Sequence, residues 1–109
     1  SRDGVRRRLK EMKYRDEKTK NDQKALNEME SVMYDAEVSM DEEDFMRHTS
    51  EDERKWFSGQ LDSVHRYIER CHAKEILFDR NTMQATMNEI QSFMNKVDKR
   101  IMDDTESDL

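Results

Sequence analysis

The last third of the chain carries an apolar residue at every third or fourth position, and this spacing constrains the fold more than any other feature. Steps of three and four residues place such side chains on one narrow face of an α-helix and leave its other faces polar. The stripe consists of Met83, Met87, Ile90, Met94, Val97 and Ile101. Because a helix of this kind has to bury its stripe against other helices, the sequence predicts an all-α bundle.

Two earlier segments show the same spacing. We predict one long helix from about Asp3 to Met40, a second from about Ser50 to Cys71, and a third from near Asp79 or Asn81 to Met102. Short connections favour antiparallel packing of the two shorter helices with the C-terminal half of the first, in a three-helix bundle. The predicted core consists of Leu26, Met29 and Met33 from the first helix, Phe57, Leu61, Val64 and Ile68 from the second, and Met83, Met87, Ile90, Met94 and Val97 from the third.

The apolar stripe of the first helix is interrupted. Val5, Leu9 and Met12 follow the helical spacing, but polar residues then occupy the expected positions until Leu26. Since no other stripe in the chain is left to cover these three residues, we expect them to contact a domain outside this sequence or a second copy in a dimer. The chain would then divide into an extended, largely exposed part of helix 1 (1–24), the bundle (25–102) and a disordered acidic tail (103–109).

The connection between the first two helices is predicted from its acidic residues. Acidic side chains are unfavourable at the C-terminal end of a helix dipole, so we interpret Asp41–His48 as a loop, with Phe45 and Met46 packed into the bundle. Ser50 and Glu53 have the spacing of a capping box, which predicts a helix start there.

Two features lie in and after the second helix. We expect Ile76, Leu77 and Phe78 to close one end of the bundle. Gly59 lies within the helix, where glycine costs about 1 kcal/mol relative to alanine. It therefore suggests a close approach of two backbones.

Composition allows only a thin core. The chain of 109 residues is 33% hydrophobic and 42% charged, with no proline and a net charge of −6. Mixed acidic and basic residues form i,i+4 pairs worth about 0.2–0.5 kcal/mol each, which favours solvated helices over disorder. The acidic balance argues against a nucleic-acid partner, with the basic cluster around Arg6–Lys13 interpreted as a solvated face. No apolar run reaches membrane-spanning length, so no membrane partner is expected.

No group of residues has the spacing of a catalytic or metal site. His65 and His72 share a helix face beside Cys71, but they match no zinc pattern. Cys71 and His65 are six residues apart on one helix and point in different directions, so they do not form a nucleophile and base. The acids from Asp41 to Asp44 lack the glycine and closing glutamate of a calcium loop. We therefore expect neither an enzyme nor a metal or cofactor site in this chain.

Several segments nevertheless resemble one protein family. Asn27–Asp35 reads Asn-Glu-Met-Glu-Ser-Val-Met-Tyr-Asp, which is similar to the Asn-x-Leu-Glu-Ser/Ala-Phe/Tyr stretch in the helical lid of the seventy-kilodalton heat-shock chaperones and their larger relatives. Thr49–Arg54, Ser58–Leu61 and Tyr67–Glu69 resemble the start, centre and end of the next lid helix in the large endoplasmic-reticulum branch, the hypoxia up-regulated or glucose-regulated chaperones. Met87–Ile90 stands where the family has Leu-x-Glu-Leu.

The sequence also departs from the family pattern. Tyr67 replaces the usual tryptophan and Val32 an aromatic residue, and the loop before the third helix differs. Glu106–Leu109 lacks the usual ending of an endoplasmic-reticulum retention signal.

The resemblance implies a C-terminal lid over a peptide-binding β-sandwich, with an ATPase domain that uses ATP and magnesium further upstream in a parent protein. Its implied partners are unfolded polypeptides and a smaller seventy-kilodalton chaperone whose nucleotide exchange it assists. The implied compartment is the endoplasmic-reticulum lumen, with the cytoplasm as the alternative. The chain begins Ser-Arg-Asp-Gly without methionine, which fits a piece of a longer protein. The alternative function is a stand-alone helical-bundle or coiled-coil adaptor that binds other proteins.

Overall fold

The chain is a bundle of helices. The computed structural model describes the backbone of residues 2–107 and the side chains of residues 17–105. It contains four helices, which are α1 (Arg2–Met40), α2 (Glu43–Arg47), α3 (Glu51–His72) and α4 (Gln84–Ser107), and residues 2–107 contain no strand. The predicted all-α fold is confirmed.

Contacts between side chains fix the directions of the helices. His65 and His72 of α3 pair with Glu37 and Glu30 of α1, so α3 runs antiparallel to α1. The start of α3 meets the end of α4 through Glu53, so α4 runs antiparallel to α3 and parallel to α1. The C-terminal half of α1 therefore packs with α3 and α4 in the predicted three-helix arrangement.

The first helix is much longer than its partners. α1 has 39 residues and a length of about 58 Å, whereas the 22 residues of α3 span about 33 Å. The molecule accordingly measures 75 × 29 × 19 Å. Along residues 17–24 every side chain except that of half-buried Asp22 is exposed. The N-terminal part of α1 thus extends beyond the bundle as one continuous helix.

The centre of the core is aromatic. Phe45 from α2, Phe57 from α3 and Phe93 from α4 form a cluster with ring-centroid distances of 4.9–6.1 Å, and tilted or edge-on ring pairs of this kind are favourable beyond their burial. The buried residues around them come from all three long helices and are Leu26, Met33, Ala36, Leu61, Val64, Ile68, Ile90 and Val97.

The connection from α1 to α3 is not the loop that we predicted. Residues 43–47 form the short helix α2, so the loop prediction for Asp41–His48 is wrong there. The turn at residues 41–42 ends α1, and Glu43 and Asp44 then lie in the first turn of α2, where the helix dipole favours acidic side chains. Phe45 is buried as expected, but Met46 is exposed.

The connection from α3 to α4 also differs from the prediction. α3 ends in a turn with Lys74 in the left-handed conformation (φ 60°). Leu77 is 94% exposed, so it does not close the bundle. Ile76 and Phe78 are half-buried, and the ring of Phe78 lies 6.3 Å from that of Tyr67.

The bounds of α4 and the surroundings of Gly59 differ as well. Residues 80–83 form turns, so α4 starts at Gln84 rather than near Asp79 or Asn81, and it continues to Ser107, past the predicted end at Met102 and into the predicted disordered tail. Gly59 is exposed, and a Cβ atom added there would have no neighbour within 4 Å. The predicted close approach of backbones at Gly59 is therefore wrong.

Candidate functional site

One corner of the bundle is joined by a network of charged hydrogen bonds. Ser50 caps α3 by accepting from the backbone N–H of Glu53 (3.1 Å), and the Glu53 carboxylate accepts from the backbone N–H of Ser50 (3.0 Å). Arg100 of α4 donates to both oxygens of the same carboxylate at 2.9 and 3.1 Å. These bonds hold the pKa of Glu53 at about 2, the largest cause being the guanidinium of Arg100.

His48 extends this corner. Its Nδ1 donates to the carbonyl oxygen of Asp44 (2.7 Å) and its Nε2 lies 2.9 Å from the carboxylate of Asp104 on α4. The hydrogen bond to the Asp44 carbonyl and then the bond to Asp104 raise the pKa of His48 above 6.5. The backbone oxygen of His48 also accepts from Arg100 (2.9 Å). The corner between α2 and α3 is therefore tied to the C-terminal part of α4.

A groove containing methionines lies between α1 and the start of α4. Met29, Met83 and Met87 are half-buried there with Val32 and Phe78. The groove has a volume of about 410 Å³. Flexible thioether side chains adapt easily to the shape of a bound partner, so this surface is a first candidate for binding another protein.

A second groove lies on the opposite side of α4, against α3. Trp56 and Phe93 form its apolar floor, with their rings in an edge-on arrangement at 5.4 Å. Trp56 remains 42% exposed. Asp52 and Glu89 contribute exposed carboxylates to the rim, opposite Lys96. The volume is about 670 Å³. An exposed tryptophan beside carboxylates is a favourable surface for a basic side chain, through cation–π and ionic contacts.

The residues predicted from the sequence fall into three groups. Val5, Leu9 and Met12 lie outside the residues whose side chains are described. The predicted core residues that are buried are Leu26, Met33, Phe57, Leu61, Val64, Ile68, Ile90 and Val97. Those that are partly buried against the core are Met29, Met83, Met87 and Met94.

Three residues that shape the bundle are not among the site residues predicted from the sequence. Phe93 is next to the predicted stripe of α4 and belongs to the aromatic cluster. Tyr67 is buried, and its hydroxyl donates to the carbonyl of Asp79 (3.0 Å) and accepts from the Asp79 N–H (2.8 Å). Arg100 holds the corner described above. The helical position of Phe93, three residues after Ile90, was an available signal, whereas the partners of Tyr67 and Arg100 are distant in sequence.

No catalytic arrangement of the histidines is seen in the described part of the chain. His65 and His72 each pair with a carboxylate of α1, and Cys71 is a half-buried free thiol. Within residues 17–105, no three His, Cys, Asp or Glu side chains are arranged to hold a metal ion.

No family model, curated protein or solved structure matches the chain. None of the described helices combines the length and apolar character that crossing a membrane requires.

Proposed function

We propose that the chain is the C-terminal lid subdomain of a molecular chaperone of the seventy-kilodalton heat-shock superfamily. In the parent protein it covers the peptide-binding β-sandwich, and its surfaces support the holding of unfolded polypeptides or nucleotide exchange by a smaller chaperone. This role requires no catalytic group in the chain itself, and ATP and magnesium would bind the upstream domain of the parent.

The observation that carries this proposal is the unequal packing of α1. Its C-terminal half is enclosed by α3 and α4, whereas residues 17–24 are exposed and the helix continues to Arg2 without a break. A helix that extends one half beyond its bundle is suited to lie across a second domain. The motifs at Asn27–Asp35 and Thr49–Arg54, which resemble the lid helices, fall on α1 and at the start of α3.

The first test is the coding sequence around this segment. The proposal predicts a β-sandwich preceded by an ATPase domain upstream of Ser1. Tandem helical repeats at that position would exclude a lid.

The second test is functional and uses the full parent protein with and without this segment. Light scattering of a heat-unfolded client enzyme measures holding, and release of a fluorescent nucleotide from a smaller chaperone measures exchange. We expect deletion to impair at least one of the two activities. A variant with Asp35→Lys, an exposed substitution on α1 outside both grooves, is the control and should retain both. A deletion that changes neither activity would refute the proposal.

A stand-alone adaptor is the second candidate, and the groove at Trp56 favours it. That groove is formed entirely by α3 and α4, so its use does not require an upstream domain. An adaptor predicts that the isolated chain captures a protein partner through this groove, and that substitution of Trp56 abolishes capture.

A further inference from the structure

The groove between α3 and α4 has an exposed aromatic side chain that packs against a buried one. Trp56 is accessible to a ligand, yet its ring rests against Phe93, which is only 7% exposed and belongs to the aromatic core. The ring of Trp56 is thus supported from below by a rigid neighbour. Asp52 and Glu89 flank it with exposed carboxylates, and Glu53 is already paired with Arg100. Because exposed Lys96 also lines the groove, its remaining charges are two carboxylates and one ammonium, a net charge of −1. The groove therefore favours a basic ligand with apolar side chains over an acidic one.

The chain itself contains a segment with that chemistry. Residues 1–16 hold seven Lys or Arg and three Asp or Glu, which gives a net charge of +4. Because the whole chain has a net charge of −6, residues 17–109 together carry −10. Within the basic segment, Val5, Leu9 and Met12 recur at helical spacing between the arginines. A basic amphipathic helix complements the aromatic floor of this groove in polarity and its small negative net charge in sign.

This segment does not reach the groove of its own molecule while α1 is intact. α1 is helical from Arg2 to Met40, and 24 residues separate Arg2 from buried Leu26, which corresponds to about 36 Å along the helix axis. The groove lies on the bundle, between α3 and α4. Only the segment of a different molecule can therefore occupy it without breaking α1.

We propose that the groove at Trp56 and Phe93 binds the basic segment of residues 2–15 from a second copy of this chain. The segment docks as an amphipathic helix, a common mode of recognition, with its apolar residues on the aromatic floor and its arginines beside Asp52 and Glu89. The proposal does not need a second domain, because the groove and the segment both lie within this chain. Where the segment lies across the β-sandwich of a parent protein, it does not enter the groove, so the two contacts exclude each other.

Trp56 is the only tryptophan of the chain, so its fluorescence reports directly on the groove. A synthetic peptide of residues 2–15 contains no tryptophan and can be titrated into the intact chain with excitation selective for Trp56. We expect a saturable change in emission. A peptide with Arg6, Arg7 and Arg8 replaced by glutamate should bind about tenfold more weakly or not at all, since it loses its ionic contacts. Equal binding by the two peptides would overturn the proposal.

Matched variants of the intact chain test the groove itself. The double variant Asp52→Lys/Glu89→Lys reverses the charge of the rim, while Asp35→Lys/Asp62→Lys makes the same change in net charge at exposed positions outside the groove. Sedimentation velocity over a range of concentrations should show self-association of the unmodified chain and of the control, and its loss in the groove variant. Circular dichroism verifies that both variants fold.

Three results would overturn the proposal. The first is a chain that stays monomeric at all concentrations together with a peptide that leaves Trp56 unchanged. The second is an equal loss of association in both double variants, which would indicate only a general charge effect. The third is equally tight binding of an oligoarginine peptide without apolar residues, which would make the groove a site for basic peptides in general rather than for a second copy.

Discussion

The contact between Glu53 and Arg100 gives the sharpest test of how the bundle is held. The carboxylate of Glu53 makes two kinds of contact. It completes the capping box of α3 with Ser50, and it accepts two hydrogen bonds from Arg100 on α4. Glutamine can complete a capping box as glutamate does, but it carries no charge for Arg100. Glu53→Gln therefore removes the ionic contact, whereas Glu53→Ala removes the ionic contact and the cap together.

The size of each effect follows from the structure. A pKa of about 2 instead of 4.5 corresponds to roughly 3 kcal/mol without solvent screening. Because 32% of the Glu53 side chain and 42% of the Arg100 side chain face water, we expect Glu53→Gln to cost only about 1 kcal/mol. Loss of the cap adds about 1 kcal/mol more, so Glu53→Ala should cost about 2 kcal/mol.

The pH dependence provides an independent test of the ionic contact. The pKa of Glu53 is lowered on folding, so its ionic stabilisation is present above pH 4.5 and is lost as the pH falls towards 2. Urea unfolding followed by circular dichroism should separate the original chain from Glu53→Gln at neutral pH and bring them together near pH 2. The cost of Glu53→Gln at neutral pH should also disappear when Arg100 is already replaced by alanine. An undiminished difference at pH 2, or an unchanged cost in the Arg100→Ala background, would refute this account.

Three further predictions concern single positions. Gly59→Ala should stabilise the chain by about 0.5–1 kcal/mol, because an added Cβ meets nothing within 4 Å and alanine is the better helix former; a lower melting temperature would contradict the exposed position of Gly59. Ile90→Asp should unfold the bundle, since it places an unpaired carboxylate at a fully buried position at a cost of several kcal/mol. Leu9→Asp, measured at low protein concentration, should leave the melting temperature almost unchanged. An equal loss of melting temperature in the two variants would disprove the unequal packing of α1. Folding raises the pKa of His48, so its contact with Asp104 stabilises the chain most below pH 6.5 and less as the pH rises through the raised pKa. His48→Asn should therefore lower the urea midpoint of unfolding more at mildly acidic pH than at alkaline pH. A difference in midpoint that does not depend on pH would exclude the charged contact.

Features whose partners are close together along the chain were predicted better than features that depend on distant residues. The capping box at Ser50 was predictable because its partners are three residues apart, and it is present as expected. Phe45 was expected in the core and is buried there, but the short helix that carries it was predicted as a loop, since four successive acids hid the start of α2. Leu77 shows the opposite failure. Hydrophobicity suggested that it would close the bundle, but its side chain is 94% exposed, whereas its neighbour Phe78 packs against Tyr67.

The candidate site was less predictable than the fold. Nothing in the local sequence showed that Trp56 would be supported by Phe93 and remain open to solvent. The pairing of Arg100 with Glu53 joins residues 47 positions apart. Contacts of this kind depend on how α3 and α4 are rotated against each other, and the spacing of residues along one helix does not contain that information.

The sequence by itself determined that the chain is helical and which face is buried on α3, on α4 and on the C-terminal half of α1, because a repeat of three and four residues is a property of one helix alone. It also determined the division of charge between a basic start and an acidic remainder. Only the tertiary structure decided where Trp56, Arg100 and His48 find their partners, and that a groove opens between α3 and α4. These features arise when separate helices are brought together, since the distances between their side chains are set by packing and not by position along the chain.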